Sequence, residues 1–299
     1  TADKSTLSRL WGKGFTTYGL LPDMKIDRED LSSKIRKSYF DYIICPIHHT
    51  EIRNYPAIFD TIEKLLKHYP PTKIAIIDGW DRPIIDQMLA AKVQYFKREL
   101  CVAYEQIAKP ISFSLPKEKI RELSFIRGHD FAPLVPAYGH FDDPHHKTYI
   151  YDTEKDYYDM YAESFFAYTC KKGREDDKTE GWDCMRHYEI LACGSVPFFT
   201  DIEQCSRLAL TKFPKELCVQ AKKIKGVYPG TKFPYNPDAD TFIGTSKQIK
   251  AGDDRGYINH EELDIHEYDH FREEFREYTI KNLTTESMAK YLLEEMKRC

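Results

Sequence analysis

The chain has 299 residues, 41% of them apolar, which is enough for a buried core without disulfides or a structural metal. Its formal net charge of −4 argues against a nucleic-acid partner, since general nucleic-acid binders carry a basic surface. No run of about 18 apolar residues predicts a membrane span, and the N-terminus lacks a secretory signal pattern. The eight cysteines form no C-x-x-C pair, so we expect reduced thiols in a cytoplasmic protein.

Short apolar runs in the first half predict a parallel α/β sheet. Residues 41–46 (DYIICP) and 73–78 (KIAIID) lack polar alternation, which is typical of strands covered on both faces. Between them, residues 55–68 have apolar positions at helical spacing and predict a helix. This order is a strand–helix–strand unit. Farther on, residues 88–96 predict a second helix and residues 111–115 a short strand.

A stretch rich in Pro, Gly, His and Asp, residues 128–147, predicts irregular chain that joins two halves. We therefore divide the chain into two domains, 1–144 and 145–299. Within this stretch, His145 and His146 stand beside acidic residues, as metal ligands often do. Their spacing fits no standard zinc pattern, so we predict a solvated linker and no metal site.

The second half repeats the α/β pattern. Residues 157–169 predict a helix that runs into a strand, and a polar loop follows at 171–180. Residues 183–193 predict a helix that ends before Gly194, and residues 195–200 predict the next strand.

The last part of the chain predicts loops and then helices. Residues 226–256 are rich in Gly, Pro and Asp, which is typical of loops. Residues 268–298 predict one or two amphipathic helices, the last of them capped by Thr284 or Thr285.

The segment 181–201 has the residue types of a nucleotide site. Arg186 and Glu189 are three apart and share a helix face, so a guanidinium can pair with a diphosphate while a carboxylate accepts bonds from ribose hydroxyls. Lys171 and Lys172 follow the preceding strand, where ligands bind in open α/β sheets. The alternative is that Arg186 and Glu189 form an ordinary solvated ion pair.

The same segment resembles the donor-site motif of exostosin-like glycosyltransferases, in particular the compact enzymes of large DNA viruses that infect algae. The motif is an Arg, a Glu at the next turn, Gly-x-x-Pro and an Asp after the strand. Its matches in this chain are Arg186, Glu189, Gly194, Pro197 and Asp201. Weaker likenesses lie at 78–81, 95–99, 164–166, 171–173 and 282–290.

The resemblance implies a GT-B architecture, in which two Rossmann-like domains face a central cleft and the C-terminal helix packs back on the N-terminal domain. It implies a UDP-sugar in domain 145–299, an acceptor glycan against domain 1–144, inversion at the transferred sugar, no tightly bound cofactor and no required metal. The implied donor contacts are Lys171, Lys172, Gly173, Arg186, Glu189 and Ser195. Two features depart from the family: Lys172 stands where Arg is common, and the insert 174–180 is unusually charged.

An inverting transfer needs a base that accepts the proton of the attacking hydroxyl. We expect it in a loop after a strand of the first half, where Asp78 and Asp81 are the preferred candidates and His48 is the next. The alternative for Asp78 is a turn residue before a glycine. Lys97 and Arg98 either contact a substrate phosphate or lie on a solvated helix face, and we favour the solvated face.

The function expected from the sequence is transfer of a sugar from a UDP-sugar to a hydroxyl of an acceptor glycan. Xylose, galactose, arabinose and glucuronate are the candidate sugars, with xylose as a guess among them. Two alternatives stay open: a non-catalytic nucleotide- or glycan-binding module of the same fold, and a different nucleotide-dependent α/β enzyme.

Overall fold

Two separate parallel β-sheets organise the computed structural model. The structure describes residues 33–47, 55–132, 154–171, 181–228, 235–236, 241–242 and 257–298. The first sheet has four strands and the second has three, and in each sheet the strands lie side by side in chain order. All neighbouring strands within these two sheets are parallel. The chain therefore has a mixed α/β fold that is compatible with a Rossmann-like arrangement.

The elements of the first sheet come from the first part of the chain. In chain order they are β1 (Ile43–Ile47), helix α1 (Tyr55–Leu66), β2 (Ile74–Asp78), helix α2 (Gln87–Ala90), β3 (Gln94–Lys97) and β4 (Lys109–Pro110). The predicted strand–helix–strand unit is confirmed, because β1 and β2 pair in parallel with α1 between them. Ile62 and Leu65 of α1 are buried against this sheet, as their helical spacing indicated.

The elements of the second sheet alternate in the same way. They are β5 (His129–Ala132), helix α3 (Glu154–Ala162), β6 (Ser164–Thr169), helix α4 (Met185–Ala192) and β7 (Val196–Phe199). The predicted helix, strand, helix and strand of this region are confirmed. Gly194 ends the α4 turn with φ of +74°, and an added Cβ there would stand 2.5 Å from a side-chain carbon of Leu123. The positive φ favours glycine at this helix end, and a larger residue would also displace the Leu123 side chain.

The remaining elements follow β7. They are helix α5 (Lys215–Ala221), the antiparallel pairs β8 (Val227–Tyr228) with β11 (Tyr257–Ile258) and β9 (Tyr235–Asn236) with β10 (Thr241–Phe242), and helices α6 (Ile265–Asn282) and α7 (Thr285–Lys297). Short 3-10 turns lie at Pro71–Lys73, Val102–Tyr104, Lys117–Lys119 and Ile202–Gln204. Thr284 is the N-cap of α7, as predicted, and its side chain accepts from the Ser287 N–H.

Helix α7 returns to the first sheet. Its buried residues Met288, Leu292 and Met296 form one apolar cluster with Ala75 of β2 and Phe96 of β3. The last helix of the chain thus packs on the sheet built from its beginning, as expected. No helix among the described residues is long and apolar enough to cross a membrane.

Three sequence predictions of secondary structure were wrong. The helix at 88–96 is the four-residue α2 followed by strand β3, whose Tyr95 and Phe96 are buried in the sheet. Residues 111–115 are not a strand, since β4 ends at Pro110 and only Leu115 makes an isolated bridge. At residues 94–97, pairing with β2 decided a conformation that local propensity left ambiguous.

The third error concerns the predicted linker 128–147. Residues 129–132 are strand β5, which pairs with β6 in the second sheet, and the rest of the stretch lies outside the described residues. The second sheet therefore includes chain that the predicted division assigns to domain 1–144. The strand was missed because its His and Asp residues, and the glycine before it, are typical of loops.

Candidate functional site

The carboxyl ends of the two sheets meet at Asp183, which lies just before α4. The Asp183 carbonyl oxygen accepts a hydrogen bond from Arg98 Nη1 at 2.6 Å, and its N–H donates to Glu99 Oε1 at 2.8 Å. Arg98 and Glu99 directly follow β3. The Asp183 carboxylate accepts from the Phe113 N–H at 2.8 Å. We call Arg98, Glu99, Phe113 and Asp183 the inter-sheet joint. Ligands of open α/β sheets bind at such carboxyl edges.

Arg98 contacts several parts of the inter-sheet joint and the turn beside it. Its guanidinium stacks on the Phe113 ring at 4.2 Å, donates to the Gly79 carbonyl at 2.8 Å and pairs with Asp81. The side chain is buried, as is that of Lys97. The expectation that both lie on a solvated helix face was therefore wrong, because they belong to a strand and to the turn after it.

Asp78 is the centre of a second buried group, which we call the Asp78 cluster: Asp78, Trp80, Tyr95 and Lys97. Oδ1 accepts from Lys97 Nζ and from the Trp80 N–H, both at 2.9 Å, and Oδ2 accepts from the Tyr95 hydroxyl at 2.6 Å. Lys97 also donates to the Trp80 carbonyl at 2.8 Å. Both carboxylate oxygens are occupied and the charge is neutralised. This arrangement does not fit the predicted role of Asp78 as a base and fits the alternative of a structural turn residue.

The other two candidates for the base are Asp81 and His48. The Asp81 side chain is 39% exposed and pairs with Arg98 at the rim of the joint. Its predicted role stays open, although an ion pair with a guanidinium favours the charged carboxylate and makes it a weaker base. His48 lies outside the described residues.

Arg186 lies at the carboxyl end of β6. Its Nε donates to Thr169 Oγ1 and its Nη2 to the Cys170 carbonyl, both at 3.1 Å. The side chain is 3% exposed, so the alternative of a solvated ion pair with Glu189 was wrong. A guanidinium has five N–H donors in a rigid plane, and these two bonds orient that plane at the sheet edge.

His187, beside Arg186, is a residue that sequence reasoning missed. Its Nδ1 is 2.7 Å from Thr169 Oγ1, and its Nε2 is 2.9 Å from the Trp182 carbonyl. Because a carbonyl only accepts, Nε2 carries the proton and Nδ1 accepts from the Thr169 hydroxyl. Burial, with the charge of Arg186 next, lowers the pKa of His187 well below its usual value. This neutral imidazole anchors the segment before α4.

Glu189 is half-buried on the side of α4 that faces α3. Its Oε2 accepts from the Tyr157 hydroxyl at 2.8 Å, and its Oε1 is 3.4 Å from the Tyr158 hydroxyl. A carboxylate can accept about four hydrogen bonds, so these contacts are compatible with a further hydroxyl donor. Its role in ribose binding stays a prediction.

Ser195 does not join this group. It precedes β7, and its buried hydroxyl donates to the Phe165 carbonyl at 3.4 Å, near the amino end of β6. Arg186 contacts Thr169, four residues farther along β6, so roughly 13 Å of strand separates the two levels. Ser195 and Arg186 therefore lie at opposite edges of the sheet, and the contact of Ser195 with the donor stays a prediction.

Lys171 and Asp201 share the carboxyl edge with Arg186. The Lys171 N–H donates to Asp201 Oδ1 at 3.4 Å, which joins the ends of β6 and β7. Burial raises the pKa of Asp201. Lys172, Gly173 and the insert 174–180 lie outside the described residues.

His145 and His146 lie outside the described residues, so the absence of a metal site at these two histidines stays a prediction. Within the described ranges, no group of three or more His, Cys, Asp or Glu side chains is placed to hold a metal ion. The cysteines in those ranges are free thiols.

No family model, no curated protein and no solved structure matches this chain at a significant level. The likeness to exostosin-like glycosyltransferases therefore rests on the motif residues alone.

The residues that sequence reasoning missed are Glu99, Phe113, Asp183 and His187. One local signal was present for Glu99, because the charged run 97–99 directly follows two buried aromatic residues of a strand. Polar residues at that point of a parallel sheet lie at the ligand-binding edge. Phe113 and Asp183 carried no such signal, since their contact joins segments 70 residues apart.

Proposed function

We propose that the chain is a glycosyltransferase that moves a sugar from a UDP-sugar to a hydroxyl of an acceptor glycan, with inversion. In this proposal the two sheets belong to the facing domains of a GT-B enzyme. The donor lies at the carboxyl edge of the second sheet, and the acceptor approaches from the first.

The orientation of Arg186 is the observation that carries the proposal. A buried guanidinium at the carboxyl end of β6, beside the start of α4, is where a diphosphate finds both a fixed cation and the positive end of a helix. Glu189 lies one turn farther along α4, and the proposal assigns the ribose to it. The partial exposure of Asp81 and the facing edges of the two sheets support an acceptor on the opposite side.

A matched set of variants tests the donor site. Arg186→Ala removes the guanidinium, Arg186→Lys keeps a charge without the planar fork, and Arg298→Ala removes an exposed arginine just after α7 as the control. UDP affinity is measured by titration calorimetry for each folded variant. Since charge-assisted hydrogen bonds contribute about 1.5–3 kcal/mol, we expect Arg186→Ala to weaken UDP binding at least ~10-fold. Arg186→Lys should lie between Ala and the native protein, and Arg298→Ala should bind UDP normally.

Turnover distinguishes the enzyme from a binding module of the same fold. Release of UDP is followed for UDP-xylose, UDP-galactose, UDP-arabinose and UDP-glucuronate, with water or methyl glycosides as acceptors. Release from one donor supports the transferase. Binding of UDP with no release from any donor supports the non-catalytic module. If UDP does not bind, or if Arg186→Ala binds it unchanged, the donor site is assigned wrongly.

A further inference from the structure

Unpartnered buried polar atoms concentrate around the inter-sheet joint. Arg98 Nε and Glu99 Oε2 have no hydrogen-bond partner within the described part of the chain, although both are shielded from solvent. Both residues contact Asp183 directly. A buried polar atom without a partner is unfavourable, so such a group of atoms is typical of a place where a polar ligand or water binds.

Glu99 is the reactive member of this group. Its Oε1 accepts from the Asp183 N–H, while its Oε2 keeps its acceptor capacity. The side chain follows β3 at the carboxyl edge of the first sheet and points toward the segment that leads into α4 and Arg186. It therefore lies on the acceptor side of the proposed reaction and faces the donor side.

The neighbouring carboxylates are already engaged. Asp78 accepts three hydrogen bonds within its own cluster. Asp81 pairs with Arg98. Asp183 accepts from the Tyr188 hydroxyl at 2.6 Å on Oδ1 and from the Phe113 N–H on Oδ2. Among the four carboxylates of this edge, Glu99 alone combines burial with an unpartnered oxygen.

We propose that Glu99 is the general base of the transfer reaction, an inference that rests on the proposed function. The proton of the acceptor hydroxyl moves to Glu99 Oε2 as the hydroxyl oxygen forms its bond to the anomeric carbon of the sugar. The bond from that carbon to the phosphate oxygen breaks, and its electron pair leaves with UDP. Protonated Glu99 then returns the proton to solvent.

The acidity of Glu99 suits this role. Burial, with the negative charge of Asp183 next, raises the pKa of Glu99 to about 7. A base is most effective when its pKa lies near the working pH. The charged and titratable groups that face it are Arg98, Asp81, Asp183 and the Cys205 thiol.

Access requires the two sheets to separate locally. The segment at Asp183 covers Glu99 and is held to the first sheet by the bonds from Arg98 and Phe113 as well as by that of Glu99 itself. As this segment withdraws, the acceptor hydroxyl either takes the place of the Asp183 N–H at Glu99 Oε1 or donates to Glu99 Oε2. Domain closure and opening of this kind accompany substrate binding in many enzymes.

The test compares Glu99→Gln, which keeps the shape and removes the base, with Glu118→Gln, an exposed carboxylate outside the joint. UDP release from the active donor is measured at saturating donor between pH 5 and 9, together with UDP affinity. General-base removal typically costs 10²–10⁴-fold, so we expect Glu99→Gln to lose at least ~100-fold in kcat while binding UDP as the native protein does. The acid limb of the native pH profile, near pH 7, should disappear.

Two other results would overturn the proposal in distinguishable ways, and a further variant covers the case in which Glu99→Gln does not fold. If the native chain turns over no donor, the proposed function and this inference fail together. If the native chain is active and Glu99→Gln keeps kcat within about threefold with the same acid limb, only the role of Glu99 fails. If Glu99→Gln does not fold, Glu99→Asp replaces it: an unchanged acid limb and unchanged kcat in that variant also reject the role, whereas a displaced limb with reduced kcat supports it.

Discussion

The Asp78 cluster and the inter-sheet joint stand side by side at one sheet edge, yet they are built differently. The Asp78 cluster lies within the first sheet and its turn, pairs one buried anion with one buried cation, and occupies both carboxylate oxygens. The joint spans the two sheets, brings two carboxyl groups together and leaves Glu99 Oε2 without a partner. The first arrangement favours rigidity, while the second combines a proton-accepting group with a contact that can open.

The largest expected effect is on the Asp78 cluster. Lys97→Ala leaves Asp78 buried without its cation, and such changes typically cost about 3–5 kcal/mol of unfolding free energy. Urea unfolding at neutral pH measures it. The control is Lys92→Ala, whose pair with Glu63 is partly exposed and should contribute at most about 1 kcal/mol. Equal costs for the two variants would mean that the Asp78 cluster is solvated and does not differ from a surface pair.

The pH dependence of stability tests the joint. The folded-state pKa of Glu99, about 7, lies above its ordinary value of 4.5. The folded state therefore binds the proton more tightly, and this contribution is complete below pH 4.5 and is lost as pH rises through 7. The shift corresponds to roughly 3 kcal/mol. Asp183 also makes the unfolding free energy fall as pH rises, because burial raises the pKa of Asp183 to about 6.

Glu99→Gln isolates the Glu99 part of that dependence. The variant keeps a neutral side chain at every pH, so its unfolding free energy should fall less than that of the native chain between pH 5 and 8. Urea unfolding at both pH values for the two proteins gives the difference. Two outcomes would show that Glu99 is charged in the folded state. One is a native unfolding free energy that rises between pH 5 and 8, and the other is a variant whose unfolding free energy changes with pH as the native one does.

The smallest expected effect comes from a matched pair of hydroxyl removals. Tyr95→Phe takes a donor from Asp78, and Tyr188→Phe takes a donor from Asp183, each at 2.6 Å. A hydrogen bond to a charged group is worth about 1.5–3 kcal/mol, which sets the scale for both. Because Asp183 is protonated below its pKa of about 6, Tyr188→Phe should cost more at pH 8 than at pH 5. A pH-independent cost for Tyr188→Phe would contradict the assignment of Asp183 as the titrating partner.

Much of the fold was predictable from local patterns. The apolar runs of β1 and β2, the periodicity of α1, the glycine that ends α4 and the Thr284 cap of α7 each encode their structure within a few residues. The errors lay at β3 and β5, where the residues are compatible with helix or loop and only pairing with β2 or β6 selects the strand.

The candidate site also had a part that local sequence predicted and a part that it did not. The sequence by itself placed Arg186 at the sheet edge, because a residue at the start of a helix that follows a strand lies there. The sequence also proposed Asp78 and Ser195 as site residues. The types of these two residues did not show that Lys97 neutralises Asp78 or that Ser195 lies at the opposite edge of the sheet. Tertiary structure decided the contacts of Glu99 and Phe113 with Asp183, because these hydrogen bonds join segments 70 or more residues apart and form only when the two sheets meet.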